Sequence, residues 1–99
     1  MPTTYLTVRR VRGPAWNRAV SLREQSLWNE HAAFMNALAA ERLIVLGGPV
    51  GDGEETLLVF DGVSEAAIRA RLAEDPWTKS GHLEIRAVEP WTILLDSRA

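Results

Sequence analysis

Two histidines and thirteen carboxylates are the groups through which this chain could move protons, and one histidine occupies an unusual place. On a helical wheel for residues 27–39, Phe34, Leu27, Leu38, Met35, Trp28 and Ala39 fall within roughly 140° of arc. His31 lands near the centre of that arc, with Leu27 and Met35 one turn either way. The far side carries Asn29, Asn36 and Glu30. An imidazole directed into an apolar core needs a polar partner, and nothing else in the arc supplies one. A carboxylate partner would fix the tautomer, as a general base requires.

Asp75 is the candidate partner. It follows the second predicted helix on the side of Ile68 and Leu72, so it leans toward the core. A carboxylate at a helix C-terminus opposes the macrodipole by roughly 0.3–1 kcal/mol, and a histidine on the neighbouring helix would offset that. The plainer alternatives are a His31 bonded to a backbone carbonyl and an Asp75 that stops the helix by accepting amides of the 76–78 turn.

Other residues could complete a binding site. Trp77, beside Asp75, would line an aromatic or apolar pocket. Arg9, or its neighbour Arg10, at the end of the first strand, could bind a carboxylate or phenolate. Gly47-Gly48 serves a tight turn, and at Gly48 the backbone amides could approach an anionic oxygen. His82, next to Gly81, reads as a solvated loop residue, while Trp28 and Trp91 read as core or interface residues. Two histidines and one carboxylate on separate elements lack metal-ligand spacing, and no phosphate loop or nucleophile elbow is present. The expectation is a site without metal or cofactor.

The 99 residues include no cysteine, which removes disulfide and thiolate chemistry. A net charge of −2 and a single basic run, residues 9–12, give no reason to expect nucleic acid or anionic lipid as partner. No apolar run approaches membrane-spanning length, and no signal segment opens the chain, so the expected location is the cytoplasm.

The elements that must position these groups follow from periodicity and punctuation. Tyr5–Val8 reads as a strand continuing into the arginines. Ser21-Leu22-Arg23-Glu24 has the form of a capping box, so a helix is expected from near Leu22 to Glu41, with Ser26 as an alternative cap. Leu43–Leu46 is a strand stopped by Gly47-Gly48-Pro49, and Thr56–Phe60 is its hairpin partner. Ser64 caps a second helix that Asp75-Pro76 ends. Leu83–Ala87 alternates as a fourth strand, with a further extended segment at Trp91–Leu95. The order predicts one α+β domain over residues 1–99, a ferredoxin-like βαββαβ fold with a four-stranded antiparallel sheet and two helices on one face. Apolar runs in the central strands leave the other face in need of cover, which points to a homodimer paired sheet against sheet. Long loops, residues 11–20, 47–54 and 75–82, gather at one end of the sheet as the rim of a site.

The string Trp28-Asn29-Glu30-His31-Ala32-Ala33-Phe34-Met35, then Gly47-Gly48-Pro49, then Asp75-Pro76-Trp77 with Gly81 and Leu83, and finally Glu89-Pro90-Trp91, resembles the YCII-like domain family. The resemblance implies a dimeric α+β barrel, related in architecture to muconolactone isomerase, with a His–Asp site that maps onto His31 and Asp75. It also implies chemistry akin to that of a dehydrochlorinase acting on a chlorinated hydroxyhydroquinone. The longer Gly13–Gln25 segment departs from the shortest members and could lid the pocket. Two functions remain open: a small cofactor-independent lyase or isomerase using His31 and Asp75 on an aromatic or acidic metabolite, or a non-catalytic module binding such a ligand in the same pocket.

Overall fold

The computed structural model describes residues 3–98. Strand β1 (Thr3–Arg12) is followed by a single 3-10 turn (Leu22–Glu24), helix α1 (Trp28–Ala40), strands β2 (Ile44–Val50) and β3 (Glu55–Phe60), helices α2 (Glu65–Leu72) and α3 (Pro76–Ser80), and strand β4 (Leu83–Ile93). The strands form one antiparallel sheet in the order β2-β3-β1-β4. This is the expected ferredoxin-like α+β topology, with an added short helix.

Strand alternation decides what each face buries. Val8, Leu58 and Phe60 point from β1 and β3 toward Leu38 of α1 and Ile68 and Leu72 of α2, and these six form the core. Ser64 caps α2 by accepting the Ala67 amide. Positions of opposite parity lie on the uncovered face, where Leu46, Val50 and Trp91 are exposed. Among the described residues no helix is long and apolar enough to cross a membrane.

Four expected boundaries shift, each for a local reason. The capping-box pair exists, since the amide and hydroxyl of Ser21 both donate to Glu24 Oε1, but it closes only the 3-10 turn. The buried Gln25 then holds the chain back: its amide group donates to Asn17 O, Val20 O and Ser21 O and accepts from Asn17 N. Leu27 turns the backbone through φ 65°, and α1 begins at Trp28 rather than Leu22. Gly47-Gly48-Pro49 does not stop β2 but forms its second half, and the turn falls instead at Gly51 and Gly53, both at positive φ. β2 is an edge strand, so Pro49 removes no amide from an inner ladder. Edge position also lets β4 run unbroken through Pro90, merging the two expected extended segments up to Ile93.

The fourth shift concerns Asp75. α2 ends at Leu72, and Asp75 is the N-cap of α3, its carboxylate accepting the Trp77 amide at 2.9 Å. The expected conflict with a helix C-terminus is therefore absent. Pro76 opens α3 at the position where its missing N–H is not needed.

Candidate active site

Asp75 is fully buried and accepts hydrogen bonds from three directions. His31 Nδ1 lies 2.9 Å from Oδ1 and 3.0 Å from Oδ2, Arg10 Nη1 lies 2.8 Å from Oδ2, and the Trp77 amide closes the set on Oδ1. Burial raises the carboxyl pKa, but the donors from His31, Arg10 and Trp77 outweigh it and hold the group below its ordinary value. Asp75 is thus a carboxylate that can only accept, so Nδ1 of His31 carries the proton. In neutral His31 the lone pair then sits on Nε2, which has no protein partner among the described residues. Both alternative readings of Asp75 hold at once, because the same carboxylate caps α3 and bonds His31.

Aromatic packing fixes the imidazole plane. Trp77 stacks on His31 with ring centroids 3.9 Å apart and planes 10° from parallel. Its own position is set by Nε1–H donating to Ser26 O at 2.7 Å, which ties α3 to the segment before α1. His82 stacks on Trp77 with centroids 5.5 Å apart and 12° between planes, and its Nδ1 lies 2.6 Å from Ser80 Oγ. His82 is therefore a buried residue of the aromatic column, not a solvated loop residue. Its burial and the nearby His31 charge both push its pKa down. Trp28 and Trp16 complete the cluster, with centroids 5.7 and 5.3 Å from that of Trp77.

His31 and Trp77 line a cavity of about 410 Å³ between the sheet, α1 and the 13–27 segment, a size that suits a small organic ligand. The expected rim is present: Arg12 and Trp16, Gly47 to Pro49, Gly53 and Trp77 all contribute to the lining. Gly48 lies there in β2, with open space where a side chain would project. Arg9 does not reach the cavity. It projects from the uncovered face, half exposed, toward Glu55 at 3.8 Å. Alternation along β1 puts Arg10 on the Val8 face instead, and Arg10 is the arginine at the site. Trp91 is half exposed on the uncovered face, whereas Trp28 lines the cavity.

Arg12, Trp16 and Met35 are cavity residues that the sequence reading did not single out, and Arg10 stood there only as the alternative to Arg9. The parity set by Val8 was the available signal for both arginines; Trp16 lies in a segment without periodicity, and Met35 reads as core. Among the described residues no group of three His, Cys, Asp or Glu is placed to hold a metal ion.

Among curated proteins none matches the chain. The fold is shared with 5-chloro-2-hydroxyhydroquinone dehydrochlorinase (TftG) from Burkholderia phenoliruptrix AC1100, solved in complex with 2,5-dihydroxybenzoquinone. The two align with a TM-score of 0.53 and 21% sequence identity, over 96% of this chain and 97% of that one. A family model for the YCII-related domain matches residues 15–92, a span that holds His31, Asp75, Trp77 and most of the cavity wall. The chain belongs to the YCII-related domain family.

Proposed function

We propose that this chain is a cofactor-independent enzyme of lyase or isomerase type, in which His31 acts as general base and Asp75 orients it. One observation carries the reading: an imidazole with Nδ1 bonded to a buried carboxylate and Nε2 without a protein partner sits on the wall of a ligand-sized cavity. Nε2 accepts a proton from an acidic carbon or hydroxyl of a small aromatic or acidic metabolite. The electron pair left behind either expels a leaving group from the neighbouring carbon or shifts along the conjugated system. In the second case the imidazolium returns the proton at another atom, which is isomerisation. The ionised Asp75 stabilises the imidazolium throughout, and Arg10 keeps Asp75 ionised. Gly48 and Trp77 are the wall positions against which substrate packs.

A positioned base contributes on the order of 10²–10⁴ in rate, enough for a substrate already acidic at the reacting atom. Dehydrochlorination, the activity named for TftG, is a reaction of this class. The proposal includes a cytoplasmic homodimer in which a second copy covers the exposed Leu46, Val50 and Trp91 face. The test is a turnover screen of chlorinated hydroxyquinols and unsaturated lactones with wild type and His31→Gln. A substrate turned over by wild type and slowed 10²-fold or more in His31→Gln is the expected result. Turnover indifferent to the substitution would remove His31 from the mechanism.

A further inference from the structure

The cavity wall carries a charge asymmetry that proton transfer leaves unused. Arg10 and Arg12 both line it, and no aspartate or glutamate among the described residues does. Arg10 is 1% exposed; among the described residues its guanidinium meets, beyond Asp75, only Met35 Sδ at 3.6 Å, a weak acceptor, and its Nε has no partner there. Arg12 bonds Glu54 through Nη1 at 3.0 Å, its Nε is likewise unpartnered, and its guanidinium lies 4.7 Å over the Trp16 ring. Glu54 cannot be assigned to Arg12 alone, because Arg18 donates to both of its oxygens. Asp75 answers Arg10, whereas the single Glu54 carboxylate is shared by Arg12 and Arg18, so the positive charge of Arg12 is incompletely neutralised. The rest of the lining is largely apolar, with Leu22, Trp28, Met35, Ile44, Leu58 and Leu83 among its members. Weak solvation strengthens the pull of that charge on an anion, and the flat apolar walls favour a ring.

We infer that the cavity takes an aromatic monoanion, a ring bearing one carboxylate or phenolate, with Arg12 as the residue that selects for its charge. Arg10 is committed to Asp75 and almost fully enclosed, whereas the Arg12 side chain keeps 22% exposure at the cavity wall. The ring packs among Trp28, Met35 and Leu58. This inference rests on the reading of the cavity as the ligand site, and it is independent of whether His31 performs chemistry there.

The probes are benzoate and benzamide, which share a shape and differ in charge, titrated into the full chain at neutral pH. Trp16, Trp28 and Trp77 line the cavity and report binding by fluorescence. Benzoate is expected to bind about tenfold or more tighter than benzamide, as one charge-assisted hydrogen bond allows. Arg12→Gln is expected to bring benzoate down to the benzamide level, and Arg12→Lys to recover part of the difference. Arg18→Gln, which does not line the cavity but leaves Glu54 to Arg12 alone, is expected to lower the preference below that of wild type. Circular dichroism checks that each variant is folded. Equal binding of the two probes, absence of saturable benzoate binding, or a preference that survives in folded Arg12→Gln would each overturn the inference. Benzoate preference without His31-dependent turnover refutes the general-base reading alone; the reverse pattern refutes the anion inference alone.

Discussion

Substituting Asp75 should destabilise the protein through Arg10 more than through His31. In Asp75→Asn the new side chain keeps an acceptor oxygen for His31 Nδ1–H and the Trp77 amide, so two of three neighbours stay bonded. The third, the Arg10 guanidinium, is 1% exposed, and its ion pair is lost. Breaking a buried pair from one side costs about 3–5 kcal/mol, a large part of the 5–15 kcal/mol that holds a typical domain together. At about 4–8 °C per kcal/mol for a chain of this length, the midpoint should fall by at least 12 °C. Arg10→Met/Asp75→Asn removes the unpaired charge and leaves the amide to serve His31 and Trp77. The double variant should therefore be more stable than Asp75→Asn alone, with a coupling energy of about 2 kcal/mol or more. Urea unfolding of the four proteins, read by tryptophan fluorescence, measures the cycle. Additivity within about 0.5 kcal/mol would refute the claim that Arg10 and Asp75 form one buried unit.

Acid should weaken the fold in two stages. Both His82 and Asp75 have pKa values below their ordinary ones, so the unfolded chain takes up protons first and stability falls as pH falls. The His82 contribution is complete above its ordinary 6.5 and is lost below it, and the Asp75 contribution is lost below 3.8. His82→Phe, which keeps a ring on Trp77, should flatten the upper limb of a stability–pH curve and leave the lower one; an unchanged upper limb would contradict the assignment. Gly13→Ala should also destabilise, because a Cβ there would meet the Gly81 carbonyl oxygen at 2.3 Å where Gly13 and Ala15 donate to His82 O and Gly81 O. A cost of about 1–3 kcal/mol is expected, with faster proteolysis of the 13–27 segment. An unaltered melting temperature would show that the segment is not held there.

The His31–Asp75 pairing was legible because two coarse facts suffice for it: the helical wheel put an imidazole on the core face, and the topology put both residues at one rim. Finer placement depended on details with weaker signals. Asp75-Pro76 reads as a helix stop, and that reading is right for α2 but hides α3, a helix too short for periodicity to reveal. Ser21 and Glu24 make their capping contacts as expected, but three backbone carbonyls captured by the Gln25 side chain outweigh the propensity to continue the helix. Arg9 and Arg10 were alternatives from sequence, because two adjacent arginines look alike until the parity of the strand is fixed. Val8 sets that parity, and Asp75 supplies the partner that makes a buried Arg10 tolerable. Gly47-Gly48-Pro49 looks like a turn from composition alone, and only its place at the sheet edge explains why it is a strand.

General-base chemistry at His31 requires that Asp75 hold the imidazole proton on Nδ1 and leave Nε2 bare. Long-range ¹H–¹⁵N correlation of the histidine rings, at a pH where His31 is neutral, reads that tautomer without any substrate. The wild type should show a protonated Nδ1 and an unprotonated Nε2. A His31 carrying its proton on Nε2, with Nδ1 bare toward Asp75, would contradict general-base chemistry at His31.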